Sequence, residues 1–146
     1  MATFSRNVTV NWEGPIMEGK GSAKAGSGAF NLPVSFPRRI GDAEGVTSPE
    51  ELIAAAHAAC FAMALNAFVG RKGGSIAKTD VTATVTADKG DAGITITGSK
   101  LSVTAHGLTG IPKDQFAEVA REAEGKCPVS NALRGSLKIE VDAKAV

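Results

Sequence analysis

The sequence has no run rich in lysine or arginine, and its 16 basic and 15 acidic residues leave a formal charge of only +1. Such a balance provides no field for holding a polyanion, so nucleic acid is excluded as an expected partner. The start, "MATFSRNVTVNW", lacks the apolar core of a secretory leader, and a cytoplasmic chain is expected. Cysteine is scarce. There are 2, Cys60 and Cys127, and in a cytoplasm such a pair is seldom a permanent structural disulfide. Internal repeats and long linkers are absent too, so the 146 residues are read as a single domain, 1–146. The only apolar stretch of any length runs from Leu52 to Val69. It is built mostly of alanine, includes His57 and Asn66, and is read as falling short of the ~20 strongly apolar residues that span a bilayer. No membrane partner is expected.

Hydrophobic residues make up 43% and charged residues 21%, which is enough for a packed core. Phe4, Val8, Val10 and Trp12 fall on one face of a first strand, with Arg6 the exception. "MEGKGSAKAGSGAFNLPVSF" reads as short strands with turns at Gly26 and Gly28, and "PRRIGDAEGVT" as a loop. Ser48, Pro49 and Glu51 form a capping box that starts a helix ending near Gly70. A hairpin follows, with Val81, Ala83, Val85 and Ala87 alternating on its first arm. The parity slips between Ile96 and Leu101 on the second arm, which predicts a bulge around Gly98 to Lys100. Phe116, Val119, Ala120 and Ala123 mark a second helix that stops at Gly125. A helical turn from Pro128 and a strand with Leu137, Ile139 and Val141 complete the chain. That order is α+β.

The first helix is apolar nearly all round and therefore has to be buried nearly all round. One sheet covers one side, and a second copy of the chain is the economical cover for the other. A homodimer is expected, with this helix near its interface. The helix also carries Cys60, for which three readings compete. It is a small buried hydrophobe, or a zinc ligand with His57, Cys127 and His106, or a reactive thiol that works with Cys127. The zinc spacing is poor, since neither C-x₂-C nor H-x₃₋₅-H occurs. Cys127 lies between Gly125 and a Pro suited to a first helical turn, a position at a helix start that favours a thiolate. Cys60, in mid-helix, lacks that help and needs a nearby cation. Arg38 and Arg39, in the loop before the helix, are the available ones.

"SPEELIAAAHAACFAMAL" together with "GKCPVSNAL", at this separation and chain length, resembles the OsmC/Ohr family, the osmotically inducible and organic hydroperoxide resistance proteins. The first motif is closer to the OsmC branch. The resemblance implies an intertwined homodimer in which antiparallel sheets wrap two main helices. It implies a cytoplasmic, thiol-dependent peroxidase that reduces organic hydroperoxides to alcohols, with no cofactor and no metal. Matched by motif, Cys60 is the peroxidatic cysteine, Cys127 the resolving one, Arg39 the arginine that stabilises thiolate and peroxide, and Glu50 the carboxylate that orients Arg39. A dithiol reductant, lipoyl-type or other, is the implied second partner beside the hydroperoxide. His57 is read as packed beside the site, without a chemical role.

Glu50 precedes Cys60 by ten residues, roughly 15 Å at ~1.5 Å per residue of helix. It cannot touch its own chain's thiol if the helix is unbroken, so it acts across a dimer or at a helix break. A simpler reading is that it complements the helix dipole. Two other functions compete with the peroxidase: thiol-disulfide exchange without peroxide chemistry, and a zinc-binding stress protein.

Overall fold

The structure is a computed structural model that describes residues 1–146. The chain forms two compact units, Met1–Pro49 and Glu50–Val146. In the first, β1 (Val8–Glu13), β2 (Lys20–Ala25) and β3 (Asn31–Val34) form an antiparallel sheet in the order β1-β2-β3. Gly28 turns the chain between β2 and β3 with a φ of +81°, a conformation that costs a glycine little. The expected inward face of β1 is open in the single chain, where Val8, Val10 and Trp12 are 51, 57 and 40% exposed.

The segment after β3 corrects the loop expected there. Residues Phe36–Ile40 form a short helix, α1, with Pro37 in its first turn, where a missing N–H costs nothing. Arg38 and Arg39 therefore ride on a helix. Arg38 is tied locally, 2.6 Å from Glu44 and 3.2 Å from the Asp42 carbonyl.

The second unit begins within α2 (Pro49–Arg71), which starts directly after Ser48 and runs one residue past Gly70. At 23 residues and mean hydropathy 1.9, α2 is long and apolar enough to cross a membrane by length and composition alone. That corrects the expectation that the segment falls short. Its packing is that of a core helix, since His57, Phe61, Leu65 and Val69 make one buried stripe. Only that stripe is buried in the single chain, and Met63 stands 71% exposed on another face.

Strands β4 (Lys78–Gly90) and β5 (Gly93–His106) form the expected antiparallel hairpin. The register shifts opposite Thr86 and Ala87, where Gly98 pairs Thr86 and Ile96 pairs Ala87, so Thr97 is the extra residue. The bulge is thus one residue earlier than the side-chain parity implied. After it, Leu101, Val103 and Ala105 face inward. A single 3₁₀ turn (Lys113–Gln115) leads into α3 (Phe116–Glu124), which buries the four residues that its spacing selects: Phe116, Val119, Ala120 and Ala123. A six-residue helix, α4 (Pro128–Leu133), precedes β6 (Lys138–Ala145). One departure from the antiparallel expectation appears here: β6 pairs parallel to β5. The α3–α4 segment makes this possible, because parallel neighbours need a long crossover and these helices supply it.

Phe61, Leu65 and Val69 from α2, the inward face of β5 and the apolar face of α3 form one core, with Cys127 at its margin. A single polar device lies among them. His57 is fully buried, its Nδ1 2.7 Å from Ser99 Oγ on β5 and its Nε2 2.7 Å from Ser130 Oγ on α4. Burial lowers its pKa below the ordinary value of 6.5, and Glu124 opposes the shift. The unfolded chain therefore binds a proton that the fold refuses. Stability is full above about pH 6.5 and falls as pH drops toward the depressed folded value. Urea unfolding of the reduced protein should show this loss, with a slope of at most about 1.4 kcal/mol per pH unit from this one group. In His57→Gln that contribution to the slope should vanish.

Candidate active site

Cys60 lies midway along α2, at the edge of the buried stripe, and is partly exposed. Cys127 is fully buried, and both are free thiols. The fold brings Cys127 close enough to Cys60 to act on its thiol. Cys127 is the N-cap of α4, with extended backbone (φ −79°, ψ 115°) and Pro128 directly after it. Its Sγ accepts from the Ser130 amide at 3.5 Å, as serine or aspartate oxygens do at other helix starts. The sequence places Cys127 at a helix start, and that is its position.

The thiols have different surroundings. Burial pushes the Cys60 thiol up, the Val129 amide pulls it down by donating to the sulfur, and Cys127 pushes it up again. So the first turn of α4 meets both sulfurs: Val129 opposes the rise of the Cys60 thiol, and the Ser130 amide donates to Cys127. A helix this short adds little dipole of its own. The pull from Val129 does not outweigh the burial of Cys60, whose thiol needs a cation to become a thiolate near neutral pH.

Cys60 opens onto a groove of about 550 Å³. Ala56, Ala59, Met63 and Ala67 give it an apolar wall, while Arg71 and Lys126 stand at its margin. Neither cation is singled out by the sequence, although Lys126 directly precedes Cys127. Ser99 and Ser130, the partners of His57, are likewise unmarked there. No local signal identifies them, because they meet His57 only when β5, α2 and α4 assemble.

The remaining expected site residues lie on other elements. Arg39 sits in the last turn of α1, in the N-terminal unit. Glu50 is the second residue of α2, which is unbroken as far as Arg71. It stands about 15 Å along the axis from Cys60 of its own chain, which removes the helix-break option. The four-ligand zinc set is not assembled. Both ring nitrogens of His57 are taken by serines, and His106 pairs with Asp80 at 2.8 Å.

Comparison with known proteins places this arrangement in a family. Residues 41–142 match the family of OsmC-like proteins. The chain is 38% identical over 144 residues to peroxiredoxin OsmC of Escherichia coli K12, covering 98% of this chain and 99% of that one. It is 34% identical over 116 residues to the organic hydroperoxide resistance protein OhrA of Bacillus subtilis, covering 77% and 79%. Among solved structures, an OsmC organic hydroperoxide resistance protein from Legionella pneumophila superposes with a TM-score of 0.76, at 25% identity and 99% coverage of both chains. OhrB of Bacillus subtilis gives 0.71 at 25% identity, over 94% of this chain and 98% of that one. The match of motif, fold and length is consistent throughout: the chain belongs to the OsmC-like family.

Proposed function

We propose that the protein is a thiol-dependent peroxidase that reduces organic hydroperoxides to alcohols, with Cys60 peroxidatic and Cys127 resolving. One observation carries this reading. Two free thiols are in contact, one opening onto an apolar groove and the other buried behind it. A peroxide entering the groove meets Cys60 first. The relatives named peroxiredoxin and organic hydroperoxide resistance protein support the reaction class, and the alanine-lined wall favours an organic group over a small polar peroxide.

The Cys60 thiolate attacks the outer peroxide oxygen. The O–O bond breaks, the alkoxide takes a proton and leaves as alcohol, and Cys60 becomes a sulfenic acid. Cys127 then attacks the Cys60 sulfur, forming the disulfide and releasing water. An external dithiol, lipoyl-type or other, exchanges with that disulfide and returns both thiols. This reset suits a reducing compartment, and we place the protein in the cytoplasm.

The cation that Cys60 needs is assigned to Arg39, which the motif selects. Glu50 is assigned to orient Arg39 across a dimer, because an unbroken α2 keeps it from its own chain's Cys60. The dimer itself is supported by the open apolar faces of α2 and β1, which one chain leaves in water, and because the open face of α2 is the one that carries the groove, the partner would form the groove's other wall.

The cycle is tested by titrating free thiols in unfolded protein before and after one equivalent of cumene hydroperoxide, without reductant. We expect the 2 thiols to disappear, the chain to stay monomeric on a non-reducing denaturing gel, and a dithiol to restore both. Thiols that survive the peroxide would sink the peroxidase reading. In Arg39→Ala, peroxide consumption should fall roughly a hundredfold, the scale of losing one preorganised charge-stabilising donor. Exchange with a dithiol should persist, and equal loss of both activities would remove the assignment of Arg39. Sedimentation equilibrium should give twice the 14.9 kDa chain mass. A monomer at micromolar concentration would count against the dimer and against a role for Glu50 across it.

A further inference from the structure

The histidine is a buried titratable group beside the thiols that the cycle above does not use. His57 precedes Cys60 by three residues on α2, so the two project from neighbouring positions, about 60° apart around the helix. From there it reaches Ser130 on α4 with one ring nitrogen and Ser99 on β5 with the other, each at 2.7 Å. The Ser130 amide in turn lies 3.5 Å from Cys127 Sγ. A continuous hydrogen-bonded path therefore joins the helix bearing one thiol to the turn bearing the other.

The path matters because α4 has little else to hold it. Six residues are far too few for a helix to persist alone. Ser130 is its only fully buried residue, and of its apolar side chains Val129 packs against the core only in part. Two more ties exist, Arg134 to Glu124 at 2.7 Å and Asn131 to the Gly125 carbonyl at 3.2 Å. Both run back to the end of α3 and its following glycine. Among the side-chain hydrogen bonds that hold α4, the one from His57 leads to the helix that carries Cys60. The Ser99 bond fixes the imidazole from behind, so the ring cannot swing away without giving up a second buried bond.

We propose that His57 is a positioning residue for the disulfide-forming step, holding the first turn of α4 through Ser130 so that Cys127 stays against Cys60. The proposal rests on the peroxidase reading. A sulfenic Cys60 stands at a branch: Cys127 can attack it and form the disulfide with loss of water, or a second hydroperoxide can oxidise it to sulfinic acid with release of another alcohol. The first branch depends on the effective concentration of Cys127 at the Cys60 sulfur, which a fixed geometry raises. The second depends only on free peroxide. Loosening α4 should therefore change the partition between the branches and leave the initial attack on peroxide alone.

The test follows wild type, Ser130→Ala, His57→Leu and His57→Gln by mass spectrometry over a range of cumene hydroperoxide concentrations, scoring disulfide against sulfinic and sulfonic Cys60. The initial rate of peroxide consumption is measured in parallel. Ser130→Ala deletes one oxygen and puts a good helix former in α4, so it is the decisive variant. We expect it to reach half overoxidation at about tenfold less peroxide, the fold-change of one lost hydrogen bond, with the initial rate within about twofold, too small a change for any lost contact. His57→Leu should shift the same way. His57→Gln, which keeps a donor and an acceptor, should return toward wild type. An unchanged or lower tendency to overoxidise in Ser130→Ala would overturn the proposal. So would an equal loss in both steps, or a Ser130→Ala chain that fails to fold by circular dichroism, since either makes the network a general fold element. Wild type that forms no disulfide would instead take down the peroxidase reading, and this inference with it.

Discussion

Everything near the thiols depends on the rotation of α2 about its own axis. His57, Phe61, Leu65 and Val69 recur every four residues and are all fully buried, the last three in the core with β5 and α3 and His57 between Ser99 and Ser130. That stripe fixes the helix to within a fraction of a turn, because each residue advances it by about 100°. Cys60 falls about 60° to one side of His57, at the edge of the stripe. It is half inside the protein and half on the groove. Turning the helix by one residue would sink the thiol or strand His57 in water.

The second thiol takes its position from the opposite kind of element. Where α2 is long and held by apolar packing, α4 is short and held by polar bonds at its ends and through Ser130. Its start still does two things at once. The Ser130 amide donates to Cys127, and Val129 draws the Cys60 pKa down, so one turn of backbone addresses both sulfurs. The sequence assigns help of this kind to Cys127 alone and none to Cys60. In the fold Cys60 borrows it from a segment more than sixty positions away in the chain. The borrowed amide is weaker than burial, so the chemistry still demands a full positive charge from elsewhere.

Elements with a long periodic signal are legible in the sequence. The stripe of α2, the four buried residues of α3 and the β4–β5 hairpin each repeat often enough for period to decide them. The bulge is visible as a slip of parity, yet side chains show only where alternation resumes, which puts its expected position one residue late. Helix α1 is not legible because five residues make no periodic pattern. Nor is the direction of β6, because a strand's own alternation is the same whether its neighbour runs with it or against it. For the site, the helix-start position of Cys127 is legible from the residues that flank it, while Ser99 and Ser130 are not. A serine in a strand and a serine in a helical turn acquire meaning only from the histidine between them.

The alanines of α2 account for two properties that pull in different directions. They raise its hydropathy to that of a possible membrane span, yet present little surface per turn on the side away from the core. A bilayer-facing helix gains most from bulky side chains, which alanine is not. What alanine leaves is room. Ala56, Ala59 and Ala67 recede from the surface around Cys60, and the space they vacate is the groove onto which the thiol opens. Larger aliphatic side chains at those positions would keep the helix apolar but fill the approach to the sulfur. The composition that looks like a membrane signal is, in this fold, the shape of an apolar groove beside Cys60.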